Sequence, residues 1–312
     1  MAARLFQAAA KRIVTGASTV AISAMVTAYR RREQTIATLT RINGCNPAPE
    51  DLLVHVDGGE RQVAEAIIRA CPWARVLVSD GNVGPGGGRN VMMAAARHDL
   101  VASFDDDSYP IDADYFSRIV EVFQRYPEAW VVGASIFNRH EPEPAESASS
   151  QWVADFGGGG CVYRRARYFD AGGYVPLPTA YGMEEVDFGL RLHALGGRVL
   201  RTGRLRVFHD SDLAHHADPG ITSASIVNLA LLAYLRYPRS MWLMGAAQCA
   251  NRVQWLLRHG RRRGVWSGIA AIPSTLAAHR DQRRPLTTVA VRSFLALRRR
   301  GQPACCDEQA TA

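Results

Sequence analysis

Four short apolar runs constrain the fold most: Val20–Val26, Leu52–Val56, Arg75–Ser79 and Leu100–Phe104, each followed by Gly, Asp or other polar residues. Runs of this length suit strands buried on both faces, and the segments between them (Gln34–Ile42, Gln62–Ala70, Gly88–Ala96) carry apolar residues at helical spacing. Strand and helix alternating in this way predict an α/β chain with a doubly wound, mostly parallel central sheet flanked by helices. Ligands of such sheets sit beyond the carboxyl ends of the strands, so the polar residues at those ends carry the functional information.

The rest of the chain divides by character. Residues 1–18 read as a lead segment. The first 32 residues hold no acid, which superficially suits a targeting peptide. Because Thr19–Thr27 reads as the first core strand, that reading is rejected. Residues 19–128 hold the alternating part, and 129–220 are more mixed, with strands at Trp130–Ala134 and Val199–Arg201 and a helix at Val186–Leu195. Residues 221–300 read as a basic, amphipathic helical extension, and 301–312 as a flexible tail. Between Arg236 and Arg300 there are fourteen arginines and one acid, Asp281. No apolar run reaches the ~18 residues of a membrane span, since Arg236 and Pro238 interrupt Ala224–Leu235. The six cysteines show no CxxC spacing, which suits a reducing compartment. The expected location is cytoplasmic, peripheral on the inner face of the plasma membrane.

Chemistry concentrates at Asp105-Asp106-Asp107, directly after the fourth apolar run. Three adjacent carboxylates repel one another without a cation, and hard oxygen ligands suit Mg²⁺ or Mn²⁺, which would bridge a diphosphate; a solvated acidic turn is the plainer alternative. Upstream, Asp80 to Asn90 is glycine-rich. Its glycines permit close backbone approach, helix N-terminal amides favour anions, and Arg89 can pair with a phosphate or cap a base. No Lys-Ser or Lys-Thr follows, so it is not a P-loop. Asp57 ends the second run, placed either to accept from a base or ribose or simply to form a turn before Gly58. Glu184 and Asp187 are accounted for by the dipole of the helix they open, while Glu185 is a candidate general base. His209, near His215 and His216, is a further candidate metal ligand.

Taken together, these residues resemble the inverting family-two glycosyltransferases of GT-A fold, in particular a bacterial rhamnosyltransferase-like branch. The resemblance covers roughly residues 20 to 240 and rests on Thr27-Ala28-Tyr29-Arg30, Asp57, Asn82-Val83-Gly84 to Arg89-Asn90, Asp105 to Asp107, Gly159-Gly160 to Arg164-Arg165, Gly172-Gly173-Tyr174, Glu184 to Arg191, and His209. It implies a GT-A catalytic domain over 19–220, with a nucleotide-binding half (19–128) and an acceptor-binding half (129–220). Thr27, Tyr29, Asp57, Asn82, Gly84, Arg89, Asp106, Gly159 and Gly160 would hold the nucleotide sugar. Asp105, Asp107 and His209 would hold Mn²⁺ or Mg²⁺, with Asp105 partly structural, and Glu185, or else Glu184, would be the catalytic carboxylate. The implied reaction moves a sugar from a nucleoside-diphosphate donor, dTDP-rhamnose-like or a UDP-sugar, to a hydroxyl of a glycan or lipid-linked acceptor, as in cell-wall or polysaccharide synthesis. The sequence departs from the family pattern at Glu184-Glu185, where Glu-Asp is usual, and at Gly58, where an acid is commoner.

In the basic extension, Trp242, Trp255, Leu256, Leu257, Trp266 and Ile269 interleave with arginine, a pattern that suits an anionic membrane surface. Nucleic acid is not expected, because no base-reading motif accompanies the charge. Two other functions stay open at this point: a haloacid-dehalogenase-like phosphohydrolase using Asp105 and Asp107, and a non-catalytic domain that binds nucleotide sugar or glycan.

Overall fold

A computed structural model describes residues 4–6, 19–179, 183–211 and 218–304. Most of the lead segment, His215, His216 and the Cys305-Cys306 pair lie outside them. In chain order the elements are β1 (Arg4–Phe6), β2 (Thr19–Ala28), α1 (Arg32–Asn43), β3 (Ala48–Val56), α2 (Arg61–Ala70), β4 (Arg75–Val78), α3 (Gly84–Ala95), β5 (Leu100–Asp105), β6 (Ser108–Pro110) and α4 (Tyr115–Arg125). There follow β7 (Ala129–Asn138), β8 (Ser150–Val153), β9 (Gly160–Arg164), α5 (Arg165–Asp170), α6 (Glu184–Ala194), β10 (Arg198–His209), α7 (Pro219–Arg236), α8 (Trp242–Arg258), α9 (Val265–Ala278), α10 (Thr288–Arg300) and β11 (Gln302–Pro303).

All described strands join one sheet in the order β1-β4-β3-β2-β5-β9-β7-β10-β8-β11, with β6 pairing β10. The four expected runs form its parallel part, β4-β3-β2-β5. Strand β9 lies antiparallel between β5 and β7, and β10 runs parallel to β7. Since β5 and β7 both oppose β9, their carboxyl ends share one sheet edge. There β6 pairs with the end of β10, setting His209 opposite Ser108.

Alternation along the strands feeds two cores. One face sends Ile22, Ala24, Val26, Val54 and Phe104 against Leu39, Ile67, Phe116 and Ile119 of α1, α2 and α4. The other sends Met25, Leu53 and Val101 against Met92, Tyr168 and Phe188 of α3, α5 and α6. A third core joins Val186 and Leu190 of α6 to Leu231 and Leu235 of α7 and Phe294 of α10. The segment 221–300 therefore shares a hydrophobic interior with the sheet domain rather than lying apart from it. A buried ion cluster marks the junction: Asp187 Oδ1 accepts from Arg236 Nε at 2.5 Å, and Arg191 pairs with the same carboxylate at 2.8 Å. Asp187 thus serves packing beyond any dipole effect.

Two local expectations change. Helix α3 begins at Gly84 rather than near Gly88, so the glycine-rich stretch forms its first turns with Pro85 in the first turn. Val199–Arg201 and Val207–His209 belong to one strand, β10, which crosses the sheet domain with a register shift between Thr202 and Arg206. Pairing to β7 on both sides of residues 203–205 makes one strand of what sequence periodicity reads as a break.

Candidate active site

The first turn of α3 lacks a side-chain cap of its own, because Val83 occupies the N-cap. Asp57, at the end of β3, supplies it across the sheet edge. Its Oδ1 accepts from the amides of Gly58 and Val83, both at 2.9 Å, and its Oδ2 from Gly84 at 2.9 Å. Orphan helix amides need such acceptors. Three backbone donors leave the carboxylate little capacity beyond one lone pair on Oδ2 for a ligand. Gly84 has φ +71°, and a Cβ there would stand 1.8 Å from the Leu177 carbonyl oxygen, so only glycine fits.

At the end of β5 the three aspartates take separate directions. Asp105 Oδ1 accepts from Arg89 Nη2 at 2.5 Å and from Thr27 Oγ1 at 3.2 Å. Asp106 is buried and receives Arg31 Nη1 at 3.3 Å. Asp107 receives Arg31 Nη1 at 2.7 Å on one oxygen and lies 3.0 Å from His209 Nε2 on the other. Burial, reinforced by Asp107, pushes the Asp106 carboxyl up to about 7. Burial also acts to raise Asp107, but the hydrogen bond and charge of His209, with Arg31, hold it below the ordinary range. Burial opposes the charged form of His209, and its hydrogen bond to Asp107 with the three carboxylates raises it on balance.

One carboxylate oxygen from each of Asp105 and Asp107 and a ring nitrogen of His209 lie within 4.8 Å of one another. Ligands on opposite sides of an ion bound at about 2.1 Å stand roughly 4.2 Å apart, so small side-chain shifts would close this set on one divalent ion. Two hard carboxylates with an imidazole suit Mn²⁺ better than Mg²⁺, which prefers oxygen alone. The donor set fits the expected metal.

A cavity of about 400 Å³ opens over these groups. Of the expected site residues it gathers Thr27, Tyr29, Asp57, Asn82, Gly84, the three aspartates and His209. It also brings in Arg31 and the buried His55, neither of which the sequence singled out. The only sequence signal for Arg31 was the run Arg30-Arg31-Arg32 after the first strand. Arg30, at φ +65°, makes the turn that aims Arg31 back at the aspartates.

Five expected site residues stand off this cavity. Arg89 is 2% exposed, held between Asp105 and Ser103 with its Nη1 4.0 Å from Glu184; it cannot cap a base from there without rearrangement, because Asp105, which lines the cavity, stands in front of its charge. Glu184 is equally buried and accepts from the Gly86 amide at 3.0 Å. Burial, together with the neighbouring Glu185, pushes it up to about 8. Glu185 is half-buried, and burial raises it against the pull of Arg89. A Cβ on Gly158 would lie 2.5 Å from its carboxylate, and one on Gly159 would lie 2.3 Å from Asp105, so the glycine run lets this carboxylate cluster close around Arg89. Gly160 faces Ile136 in the core instead of a ligand.

Residues 23–175 match the model of the family described as Glycosyl transferase family 2. Among curated proteins none matches the sequence. Among solved structures, 88% of the chain overlays 78% of the mannosyltransferase PcManGT from Pyrobaculum calidifontis in complex with GDP-Man and Mn²⁺, with TM-score 0.55 and 15% identity. For GalNAc-T7 with UDP, GalNAc and Mn²⁺ the coverage is 71% of this chain and 49% of that one, with TM-score 0.55 and 12% identity, so the chain spans about half its length. Residues 1–349 of S. aureus TarS with UDP-GlcNAc overlay over 69% of this chain and 66% of that one, with TM-score 0.53 and 15% identity. These likenesses show the fold, which is GT-A.

Proposed function

We propose that this chain, whose residues 23–175 carry a glycosyl transferase family 2 domain, is an inverting, divalent-metal-dependent transferase that moves a sugar from a nucleoside diphosphate to an acceptor hydroxyl. The observation that carries the reading is the convergence of Asp105, Asp107 and His209 in one cavity with Thr27, Tyr29, Asp57 and Asn82. A hydrolase using Asp105 as nucleophile is disfavoured, because such enzymes usually present a lysine downstream of the aspartate and no lysine follows Lys11.

The cavity is polar at the aspartates and aromatic at Tyr29, as a base-ribose-diphosphate ligand requires. Tyr29 is 40% exposed; Arg30 lies over one face of its ring at 4.7 Å, which leaves the other face to stack on a base, and Asn82, also lining the cavity, is exposed. Mn²⁺ held by Asp105, Asp107 and His209 would supply positive charge against the departing diphosphate. Arg31, 48% exposed at its side chain and attached to Asp106 and Asp107, supplies a second positive group at the same mouth. Glu185 is the base in this reading, since it is the more accessible of the two glutamates and burial raises its affinity for the proton it would take from the hydroxyl. Glu184, locked onto the Gly86 amide, positions α6 against α3. The donor is a dTDP-rhamnose-like or UDP-sugar in the rhamnosyltransferase-like branch, and the acceptor a glycan or lipid-linked hydroxyl in cell-wall or polysaccharide synthesis. The enzyme works in the cytoplasm, attached peripherally to the membrane through the 221–300 region.

Thermal unfolding with UDP, GDP or dTDP, with and without Mn²⁺, tests the donor site. One nucleotide is expected to raise Tm only with the metal, the added stability reaching about 2.7 kcal/mol at a hundredfold excess over Kd. Asp107→Asn should lose this shift and slow turnover on the order of 10²-fold or more while remaining folded. Full activity in that variant, or in chelator, would sink the reading.

A further inference from the structure

We infer that the outward faces of α8 and α9 form a docking surface for an anionic phospholipid bilayer, with the apolar groove between the two helices set at the boundary of headgroups and acyl chains. The inference rests on the peripheral attachment proposed above and narrows it to one surface. The sequence spread the membrane face over 221–300, but α7 is largely interior and α10 packs on α6. Leu256, expected on that face, is fully buried with Ile226 and Val265.

What α8 and α9 leave outside is apolar. Leu243 is 87% exposed and Trp266 77%. Leu243, Ala250 and Leu257 recur every seven residues on α8, and Trp266, Ala270 and Pro273 lie along α9 at helical spacing, all exposed. Between them runs a groove of about 470 Å³, floored by Ile226 and walled by Val253, Leu257, Ile269 and Ile272. Large apolar side chains left exposed along adjoining helices beside an apolar groove point to an interaction site.

Charge selects the occupant. From Arg236 to Arg280 there is no Asp or Glu, and Arg258, Arg262 and Arg263 stand exposed at the turn joining the two helices. A second copy seated on this face would bring arginines against arginines. Acidic lipid headgroups supply the opposite charge, and their acyl region takes the Trp and Leu side chains. No described helix is long and apolar enough to cross the membrane, so contact is in the plane of the interface. Helix α7 ties this surface to the catalytic cavity, because Ile221 at its start lines the cavity and Ile226, about one turn on, floors the groove.

Sedimentation of the full chain with vesicles of phosphatidylcholine alone, or mixed with phosphatidylglycerol, tests the surface. Binding is expected only to the mixed vesicles and should weaken as salt is raised. The double variant Leu243→Ser/Trp266→Ser should bind about tenfold more weakly or less, and so should Arg262→Glu/Arg263→Glu, each with an unchanged Tm. Equal binding to both vesicle types, wild-type binding in either variant, or a dimer in solution abolished by Leu243→Ser/Trp266→Ser would overturn the assignment. The Mn²⁺-dependent nucleotide shift is read in the same proteins without vesicles. If it persists while vesicle binding fails, only the surface is wrong; if it is absent from the wild type, the donor reading fails whatever the vesicles show.

Discussion

Two arginines divide the work of holding the acidic groups together. Arg89 sits behind Asp105 in the interior and Arg31 in front of Asp106 and Asp107 at the cavity mouth. One buried guanidinium cannot neutralise Asp105, Glu184 and Glu185 at once, so Glu184 keeps its proton to about pH 8. A carboxyl that binds its proton more tightly folded than unfolded stabilises the fold while protonated. Its contribution is full below the ordinary value of 4.5 and is lost as pH rises towards about 8. Glu184→Gln should therefore flatten the decline of Tm between pH 5 and 8, keep the contact with the Gly86 amide and retain turnover. Glu185→Gln, by contrast, should cost on the order of 10²–10⁴ in turnover with the nucleotide-induced Tm shift intact. Equal losses in the two variants would remove the distinction between a positioning and a reacting glutamate.

At the scale of elements, helix α3 is held by glycine packing more than by propensity. Its N-terminus is capped from β3 by Asp57, and Gly86, Gly87 and Gly88 let Glu184, Val83 and His55 approach the helix backbone closely. Gly84→Ala would combine a left-handed backbone with a clash against the Leu177 carbonyl. It should cost more than about 2 kcal/mol in urea unfolding and weaken nucleotide binding, since the same turn lines the cavity. A variant as stable as the wild type would show that the 177–178 segment yields readily.

Across the whole molecule, the helices after residue 218 complete the core of the sheet domain. Phe294 of α10 and Leu231 and Leu235 of α7 close the core that α6 opens, and Arg236 meets Asp187 deep in that interface. Arg236→Leu should cost about 3 kcal/mol in equilibrium unfolding, because Arg191 alone then faces the buried carboxylate. It should also lower activity through α6, which carries Glu185. A neutral effect on stability would show that the junction tolerates the unpaired charge. The same packing decides which part of the basic region remains outside, and that part is α8 with α9.

Parallel strands buried on both faces must be continuous apolar runs, and for that reason β2, β3, β4 and β5, and with them the sheet edge bearing Asp57 and Asp105 to Asp107, were legible from residue order alone. So was the carboxylate triplet, whose mutual repulsion is a local property. Partnerships between residues far apart in the chain were not. Arg89 reads as a ligand-facing residue beside glycines, and only the meeting of α3, β5 and α6 turns it inward. Arg31 reads as one of three arginines until the turn at Arg30 points it at Asp107. Leu256 and Trp266 have similar apolar surroundings in sequence, yet one is core and the other exposed, because burial depends on which helix face α7 covers. Periodicity specifies that a face will be buried, and the assembled fold alone supplies what buries it.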